Sequence, residues 1–370
     1  MCGQGEKAMR ILVLPCDGIG PEITTATMQV LETADRHFGL GLAFDYDDVG
    51  FTSLEKYGTT LRDETLAKAR GYDGIILGPQ SHMDYPARDK GGVNVSAGFR
   101  GKLDLYANVR PARSRDFLDR GVKGMDLVIM REATEGFYPD RNMYAGSGEF
   151  MPTPDIAISM RKITAHACER IARRAFELAV KRGKHVTAVH KANNFILTDG
   201  LFLKEVRKVA AEFPGVRYDE FIIDAMAAHL VREPTRFDVI VTTNFYADIL
   251  SDLASELSGS LGLAGSINAN ETLVCAQAQH GSAPDIQNQD KANPTSLILS
   301  ATMMLRWLGE KHDKPAYIAA ADEIDRALDE VLADKAGRTR DLGGSLGTKA
   351  FGARVAAEVK PPKGGTQAAA

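Results

Sequence analysis

The chain has 370 residues, 44% of them hydrophobic and 25% charged, with a formal net charge of −4. That length carries one large core or two and favours two domains. The scattered Lys and Arg leave no basic stripe for nucleic acid, and no apolar run approaches the roughly 20 residues of a membrane span.

Residues 1–9 carry charges and glycines and lead into a strand at Ile11–Leu14, too short for the core of a signal peptide. Asp17-Gly18-Ile19-Gly20-Pro21-Glu22 follows as a tight turn, with Pro21 placed to open a helix that continues to Phe38. Short β-branched runs predict buried strands at 74–78, 127–130, 186–189 and 239–241. Amphipathic periodicity predicts helices over 164–182 and 199–213. Strands alternating with helices mean an α/β architecture. Residues 140–163 break that rhythm with Gly146, Gly148, Pro152 and Pro154 before the alternating Ile156-Ala-Ile158. They read as an extended arm with a strand pair, serving either as a dimer element or as a surface loop. The segment 359–370, rich in Pro, Gly and Ala, reads as a disordered tail. The cysteines Cys2, Cys16, Cys168 and Cys275 form no C-x-x-C pair, which points to free thiols in a reducing cytoplasm.

Four groups of residues carry chemistry. Asp248 and Asp252 follow the strand at 239–241 with i,i+4 spacing, so both lie on one helix face, with Ile249, Leu253 and Leu257 along one side. Like charges at that spacing are unfavourable, and a hard divalent cation reverses the sign. Two solvated acids near a helix N-terminus are the alternative reading of the same pair. Arg100, Arg110 and Arg131 recur near the ends of apolar segments, where a guanidinium suits bidentate capture of a carboxylate. Any one of them alone reads as a salt bridge; three favour a polyanionic small substrate. Residues 131–138 add a tyrosine, Tyr138, and Lys191 directly follows a strand, where a lysine in a closed site can serve as a base; a solvated lysine is the alternative reading. His280-Gly281-Ser282-Ala283-Pro284-Asp285-Ile286 is a small-residue loop that lets backbone approach a ligand, with a carboxylate suited to ribose hydroxyls. Neither it nor Asp17–Gly20 is a G-x-G-x-x-G or a Walker loop, so the standard Rossmann and P-loop readings fail.

In order, the motifs run Asp17-Gly-Ile-Gly-Pro-Glu22, Arg100, Leu103-Asp-Leu-Tyr-Ala-Asn-Val-Arg-Pro111 and Arg131-Glu-x-Thr-Glu-Gly-x-Tyr138. His190-Lys-Ala-Asn193, Asn244-x-x-x-Asp-x-x-x-Asp252, His280-Gly-Ser-Ala-Pro-Asp285 and Thr339-Arg-Asp-Leu-Gly-Gly344 follow. The series resembles the metal-dependent β-decarboxylating dehydrogenases that act on isocitrate, 3-isopropylmalate, homoisocitrate and tartrate or D-malate, from about Ile11 to Val355. The resemblance implies a two-lobed isopropylmalate dehydrogenase-like α/β fold and a homodimer with shared active sites. A discontinuous dinucleotide-binding lobe would comprise 1–106 and 260–358, and a smaller lobe 107–259 with a dimer clasp at about 140–163. It implies that Arg100, Arg110 and Arg131 hold malate carboxylates while Asn94 and Ser96 face the C3 substituent. Asp248 and Asp252, with the second subunit's copy of Asp224, would bind Mg²⁺ or Mn²⁺. Lys191, also from that subunit, would act as base and Tyr138 as acid. Asn193, His280, Gly281, Ser282, Ala283, Asp285, Ile286, Asn293 and Asp341 would line an NAD site.

Three positions depart from the family pattern: Cys16 stands where the turn motif usually opens on glycine, Ala133 where asparagine is common, and Gln287-Asn288 where Ala-Gly is usual. None removes a chemical role. The expected reaction is NAD-dependent oxidative decarboxylation of a 3-substituted (2R)-malate, isocitrate-like or with a small C3 group, because an unpaired hydroxyl or amide beside an isopropyl group would cost about 1–3 kcal/mol. 3-Isopropylmalate is the alternative substrate. A non-catalytic regulatory paralogue is a third reading, disfavoured because acid, base and metal ligands are all present. Metal-dependent phosphoryl transfer lacks its phosphate cradle.

Overall fold

The computed structural model describes residues 8–362, which divide into two compact units. The first comprises residues up to 99 together with 262–267 and 271 onward; the second comprises 100–261 and 268–270.

In the first unit, strand Met9–Leu14 pairs in parallel with Leu42–Tyr46 on one side and Gly74–Leu77 on the other, and Val274–Gln277 extends the sheet in parallel beyond Gly74–Leu77. Every residue of Gly74–Leu77 and Val274–Gln277 is buried, as expected where a parallel sheet is covered on both faces. Helix Gly20–Phe38 starts with Pro21 in its first turn and ends on Gly39 in the left-handed conformation. It packs against helix Thr348–Glu358 from the far end of the chain. Of the tail expected to be disordered from residue 359, Val359 is buried and the Lys360 N–H donates to Glu323, while 363–370 lie outside the described residues.

The second unit is built on five strands. Ala107–Arg113 runs antiparallel to Asp126–Glu132; Val239–Thr242 lies parallel between Asp126–Glu132 and His185–His190, and Arg217–Ile222 flanks the last. Period-2 alternation divides its core into two layers. Val128, Met130, Val186, Ala188, Val239 and Val241 pack with Ile171, Phe176, Phe202 and Val206 of helices Ala165–Val180 and Thr198–Ala210. Leu127, Ile129, Val189 and Ile240 pack with Met226, Leu230, Ala247 and Leu250 of helices Ile223–Arg232 and Asn244–Ser258. Thr164 caps helix Ala165–Val180 by accepting from the Ala167 N–H at 3.3 Å. The expected strand pair of the arm forms, Glu149–Thr153 against Ile156–Ser159, with every residue exposed.

Helix Asn244–Ser258 departs from the expected apolar side. Ile249 is 52% exposed, and the buried stripe is Ala247, Leu250, Ser251, Ala254, Ser255 and Ser258. Small residues there let the helix sit close to the sheet; the Ser251 hydroxyl accepts from Arg110 of the strand beneath, while those of Ser255 and Ser258 donate to carbonyls of the helix itself.

The turn after Met9–Leu14 depends on Gly18, whose φ is 56°. A Cβ there would stand 2.1 Å from the Ser282 carbonyl oxygen, which accepts the Ile19 N–H at 2.9 Å. Gly18→Ala therefore combines backbone strain with a backbone clash, and we expect it to lower unfolding free energy by about 2 kcal/mol or more. Urea denaturation would check this; a midpoint unchanged from wild type would contradict it.

Candidate active site

Successive parallel strands of the second unit end at one edge, and each delivers a polar side chain there. Asp126–Glu132 delivers Arg131, His185–His190 leads into Lys191, Val239–Thr242 into Asn244, and Arg217–Ile222 into Asp224. Ligands of open α/β sheets bind at this carboxyl edge.

Arg131 shares its strand face with Leu127 and Ile129, towards helix Asn244–Ser258. Arg110 shares the same face through Ala112 and lies diagonally across the antiparallel pair, where Arg110 faces Ile129 and Asn108 faces Arg131. Two nearly inaccessible guanidiniums are thus neighbours. Asp248 answers both: it accepts from Arg131 Nη1 in a short ion pair and from Arg110 Nη1 at 3.2 Å. Asp252, one turn on, lies 3.6 Å from Arg110. Arg131 Nε donates to Asn244 at 2.7 Å, and Arg110 Nη1 donates to Ser251 at 2.6 Å. The Tyr138 hydroxyl donates to Asp248 Oδ2 at 2.7 Å and receives Arg131 Nη2 at 3.2 Å. Arg100, in the last turn of helix Val95–Lys102, donates through Nε to Asn268 at 2.8 Å.

This crowding moves proton affinities. Burial, then the charges of Arg131 and Arg110, push the Arg100 guanidinium well down. Burial and Arg131 push Arg110 down to about 10. Burial alone would raise Asp248, but Arg131 and Arg110 outweigh it and hold the carboxyl at about 2. Burial raises the Tyr138 phenol, so it stands as a proton donor.

Lys191 and Asp224 form a second group through a short ion pair. The Lys191 backbone N–H donates to Asp199 Oδ2 at 2.5 Å. Asp199 is fully buried, pairs with Arg161 at 2.5 Å and accepts from Tyr246 at 3.2 Å. Among the described residues no three His, Cys, Asp or Glu side chains converge on one metal position, so Asp224, Asp248 and Asp252 are not gathered within a single chain. The Asp248–Asp252 pair does suit a hard cation: two carboxylates on one helix face, one of them held ionised, with side chains 42% and 55% exposed.

The first unit holds the small-residue loop. Ser282 is fixed by its carbonyl and by its hydroxyl, 2.7 Å from Ser81 Oγ. Ala283 adopts a left-handed φ of 40° and accepts the Ile286 N–H at 3.1 Å. Gly281 and Asp285 are exposed. Asn293 donates to Asp341 at 3.0 Å, and Asp341 also accepts from Thr339 at 2.5 Å. His280 Nδ1 lies 2.9 Å from the Gly281 carbonyl, while its Nε2 is buried without a partner, and burial lowers its proton affinity. That orphaned nitrogen fits a bound dinucleotide. Asn193 belongs to the second unit and is exposed.

The residues expected to face the substrate's C3 group are already occupied. Ser96 Oγ donates to Gln277 Oε1 at 2.9 Å, and Asn94 Oδ1 accepts from Gln80 at 2.8 Å and the Ala97 N–H at 2.9 Å. Cys16 holds a φ of 60° beside Asp17, which accepts the Phe51 and Ser81 N–H groups and a short bond from Tyr85. Burial pushes the Cys16 thiol far up, out of range for a thiolate. Asn244 opens the aspartate motif but its bond to Arg131 was not foreseen, while Ser251, Asn268, Gln277 and the Arg161–Asp199 pair carry no motif signature and were not singled out by sequence.

Residues 10–355 match the family described as isocitrate/isopropylmalate dehydrogenase. The chain is 41% identical over 348 residues to the 3-isopropylmalate dehydrogenase of Archaeoglobus fulgidus, covering 94% of this chain and 98% of that one. It is 42% identical over 355 residues to the isocitrate/homoisocitrate dehydrogenase of Thermus thermophilus, covering 95% and 99%. The crystal structure of isocitrate dehydrogenase from Methylococcus capsulatus superposes with a TM-score of 0.84 at 38% identity, covering 95% of this chain and 99% of that one.

Glu135 gives this region a pH signature. It accepts from the Thr164 N–H at 2.7 Å and hydroxyl at 2.9 Å, and burial lifts its carboxyl from 4.5 to about 7. A raised native proton affinity stabilises fully below the unfolded value and is lost as pH climbs through the folded one. Wild type should therefore lose stability relative to Glu135→Gln between pH 4.5 and about 7. Thermal melts of both proteins across that window check it; parallel pH profiles would refute the assignment.

Proposed function

The chain belongs to the isocitrate/isopropylmalate dehydrogenase family, and on that premise we propose that it is an NAD-dependent, divalent-metal-dependent enzyme that oxidatively decarboxylates a 3-substituted (2R)-malate. The observation that carries this reading is the cluster of Arg100, Arg110 and Arg131 around Asp248 and Tyr138. Three guanidiniums against two nearby aspartates leave cation in excess, and a di- or tricarboxylate supplies the missing anion.

In this reading the arginines grip the malate carboxylates and orient C2 and C3. Asp248 and Asp252, with Asp224 of a second subunit, would hold Mg²⁺ or Mn²⁺, which would supply a Lewis acid to the C2 oxygen. The loop 280–286, Asn293 and Asp341 would hold NAD, with Asn193 near its nicotinamide, and the bound cofactor would supply the acceptor for the C2 hydride. Lys191 of the second subunit removes the C2 hydroxyl proton. Tyr138, its phenol kept protonated by burial, gives its proton to C3 after carbon dioxide leaves.

A homodimer is supported by what the chain exposes. Phe245 and Ile249 flank the aspartates on helix Asn244–Ser258, and Ile196 and Leu197 follow Lys191; Leu197 is 86% exposed. The arm adds Met151 and Ile156. Apolar surface beside the metal pair and beside the base suits a partner that brings the two groups together.

The substrate's C3 group has two readings. An isocitrate-like or small substituent fits the hydroxyl and amides of Ser96, Asn94 and Gln277. 3-Isopropylmalate is favoured by one observation: Ser96 and Asn94 are already hydrogen-bonded within the protein, so an apolar group leaves neither unpaired. The penalty expected from sequence is therefore absent.

Reduction of NAD with Mn²⁺ across substituted malates tests the assignment. We expect turnover that EDTA abolishes, and strong discrimination against NADP, whose 2′-phosphate Asp285 would repel. Full activity in EDTA, or equal kcat/KM with NADP, would overturn those parts. A preference of about tenfold or more for 3-isopropylmalate selects the second substrate reading.

Tyr138→Phe and Lys191→Met should each lower kcat by about 10²–10⁴-fold while substrate binding survives. Mixing the two inactive variants should restore activity through hybrid dimers. No recovery after proven subunit exchange would argue against a shared site.

A further inference from the structure

The edge of the second unit opposite the candidate active site holds a cavity of about 530 Å³, lined by residues that include Arg182, Lys184, Arg217, Arg236, Asp126 and Asp238. It sits where the parallel strands begin. His185 is in register with Arg217, and Val239 with Val128 and Val186. Its volume falls within the range of small-molecule sites.

Four cations face two carboxylates, and both carboxylates are taken by one cation. Arg182 Nε donates to Asp238 Oδ1 at 2.8 Å, and its Nη2 donates to Asp126 Oδ1 at 2.8 Å. Arg236 pairs with Glu233 at 3.1 Å and lies over the rings of Phe221 and Phe237. Lys184 and Arg217 are exposed and form no ion pair among the described residues. Arg217 Nη2 instead lies against the His185 ring, 3.0 Å from Nδ1 and 3.1 Å from Nε2, and Asp219, 3.0 Å from the same Nε2, feels its charge without reaching ion-pair distance. The Arg217 N–H donates to the Lys184 carbonyl at 2.8 Å, so the two exposed cationic residues are held side by side.

The backbone supplies an independent observation. Lys184 has a φ of 57°, in the left-handed region where a side chain meets steric cost and glycine meets none. Lysine lacks the local hydrogen bonds with which Asn or Asp offsets that cost. The left-handed turn closes the end of helix Ala165–Val180, the Lys184 N–H donating to the Ala179 carbonyl at 3.0 Å, and glycine would serve that turn at no steric cost; what lysine adds there is its charge. The C-terminal dipole of helix Ala165–Val180 accounts for Lys181 and Arg182, but Arg217 belongs to a strand remote from that helix end in sequence.

We propose that this cavity is a second ligand site, distinct from the candidate active site, and that it binds a small phosphate-bearing anion between Lys184 and Arg217. A guanidinium fork beside a lysine ammonium is the pairing that phosphate recognition uses.

Calorimetric titration of the full-length chain with inorganic pyrophosphate at fixed ionic strength tests it. Wild type should bind, and Lys184→Gly with Arg217→Ala should weaken binding by about tenfold or more. Arg100→Ala, which alters the other cationic cluster, should leave this binding in place. Lys184→Gly alone should weaken binding yet melt no lower than wild type, because glycine relieves the left-handed strain; this separates lost affinity from lost fold. No binding by wild type at millimolar pyrophosphate, unchanged affinity in the double variant, or loss of the binding in Arg100→Ala would each overturn the proposal.

Discussion

The second unit is organised around two guanidiniums that cannot move apart. Arg110 and Arg131 share one face of an antiparallel strand pair, beneath a helix, with little access to water. Neighbouring buried like charges are strongly unfavourable unless counter-charge and hydrogen bonds meet them. Asp248 supplies the charge, and Asn244 and Ser251 supply acceptors. All three sit on helix Asn244–Ser258, so the rotation of that helix is dictated by the arginines as much as by its apolar stripe. The same constraint explains why that stripe is mostly Ala and Ser, with Leu250 as its one large apolar residue: bulkier side chains throughout would lift the helix and break the ion pairs.

A second arrangement separates structural from chemical duty at Lys191. Its backbone N–H is tied to buried Asp199, which Arg161 and Tyr246 hold in turn. Arg161 is itself enclosed by the rings of Phe137, Phe195 and Tyr246, each 5.0 to 5.4 Å from its guanidinium carbon. A buried pair with that many partners fixes geometry at considerable desolvation cost. The Lys191 ammonium is left on the accessible side with Asp224, where it can exchange partners. The turn is thus rigid in its backbone and free at its reacting atom.

What was legible in the sequence follows how local each signal is. The buried strands Gly74–Leu77 and Val239–Thr242 announce themselves through β-branched runs. Leu42–Tyr46 and Arg217–Ile222 are half-exposed and mix polar with apolar residues, so pattern alone passed over them. Asp248 and Asp252 were visible because their relation is one helical turn. The bond from Ser96 to Gln277 joins residues 181 positions apart, and no spacing rule reaches that far. Its absence from the sequence reading mattered, because it turned a satisfied hydroxyl into one expected to await a substrate. Cys16 shows the converse: a departure from the family turn that sequence could flag, whose left-handed φ only the structure could show.

The two edges of the second unit's parallel strands carry opposite solutions to charge. At the carboxyl edge, cations are buried and largely neutralised in place, so their residual demand for anion is directional and confined to a small cluster. At the amino edge, about 20 Å away along six-residue strands, Lys184 and Arg217 remain solvated and form no ion pair among the described residues. A solvated cation pair has no need of an anion for folding, since water screens it. Folding therefore explains Asp248 beside Arg131, where an uncompensated charge would be intolerable, and it explains the left-handed turn at Lys184, whose N–H closes the preceding helix on Ala179, but it does not explain why a cation rather than glycine stands in that turn. That difference is why the first cluster can be understood from packing and electrostatics together, while the second calls for a ligand.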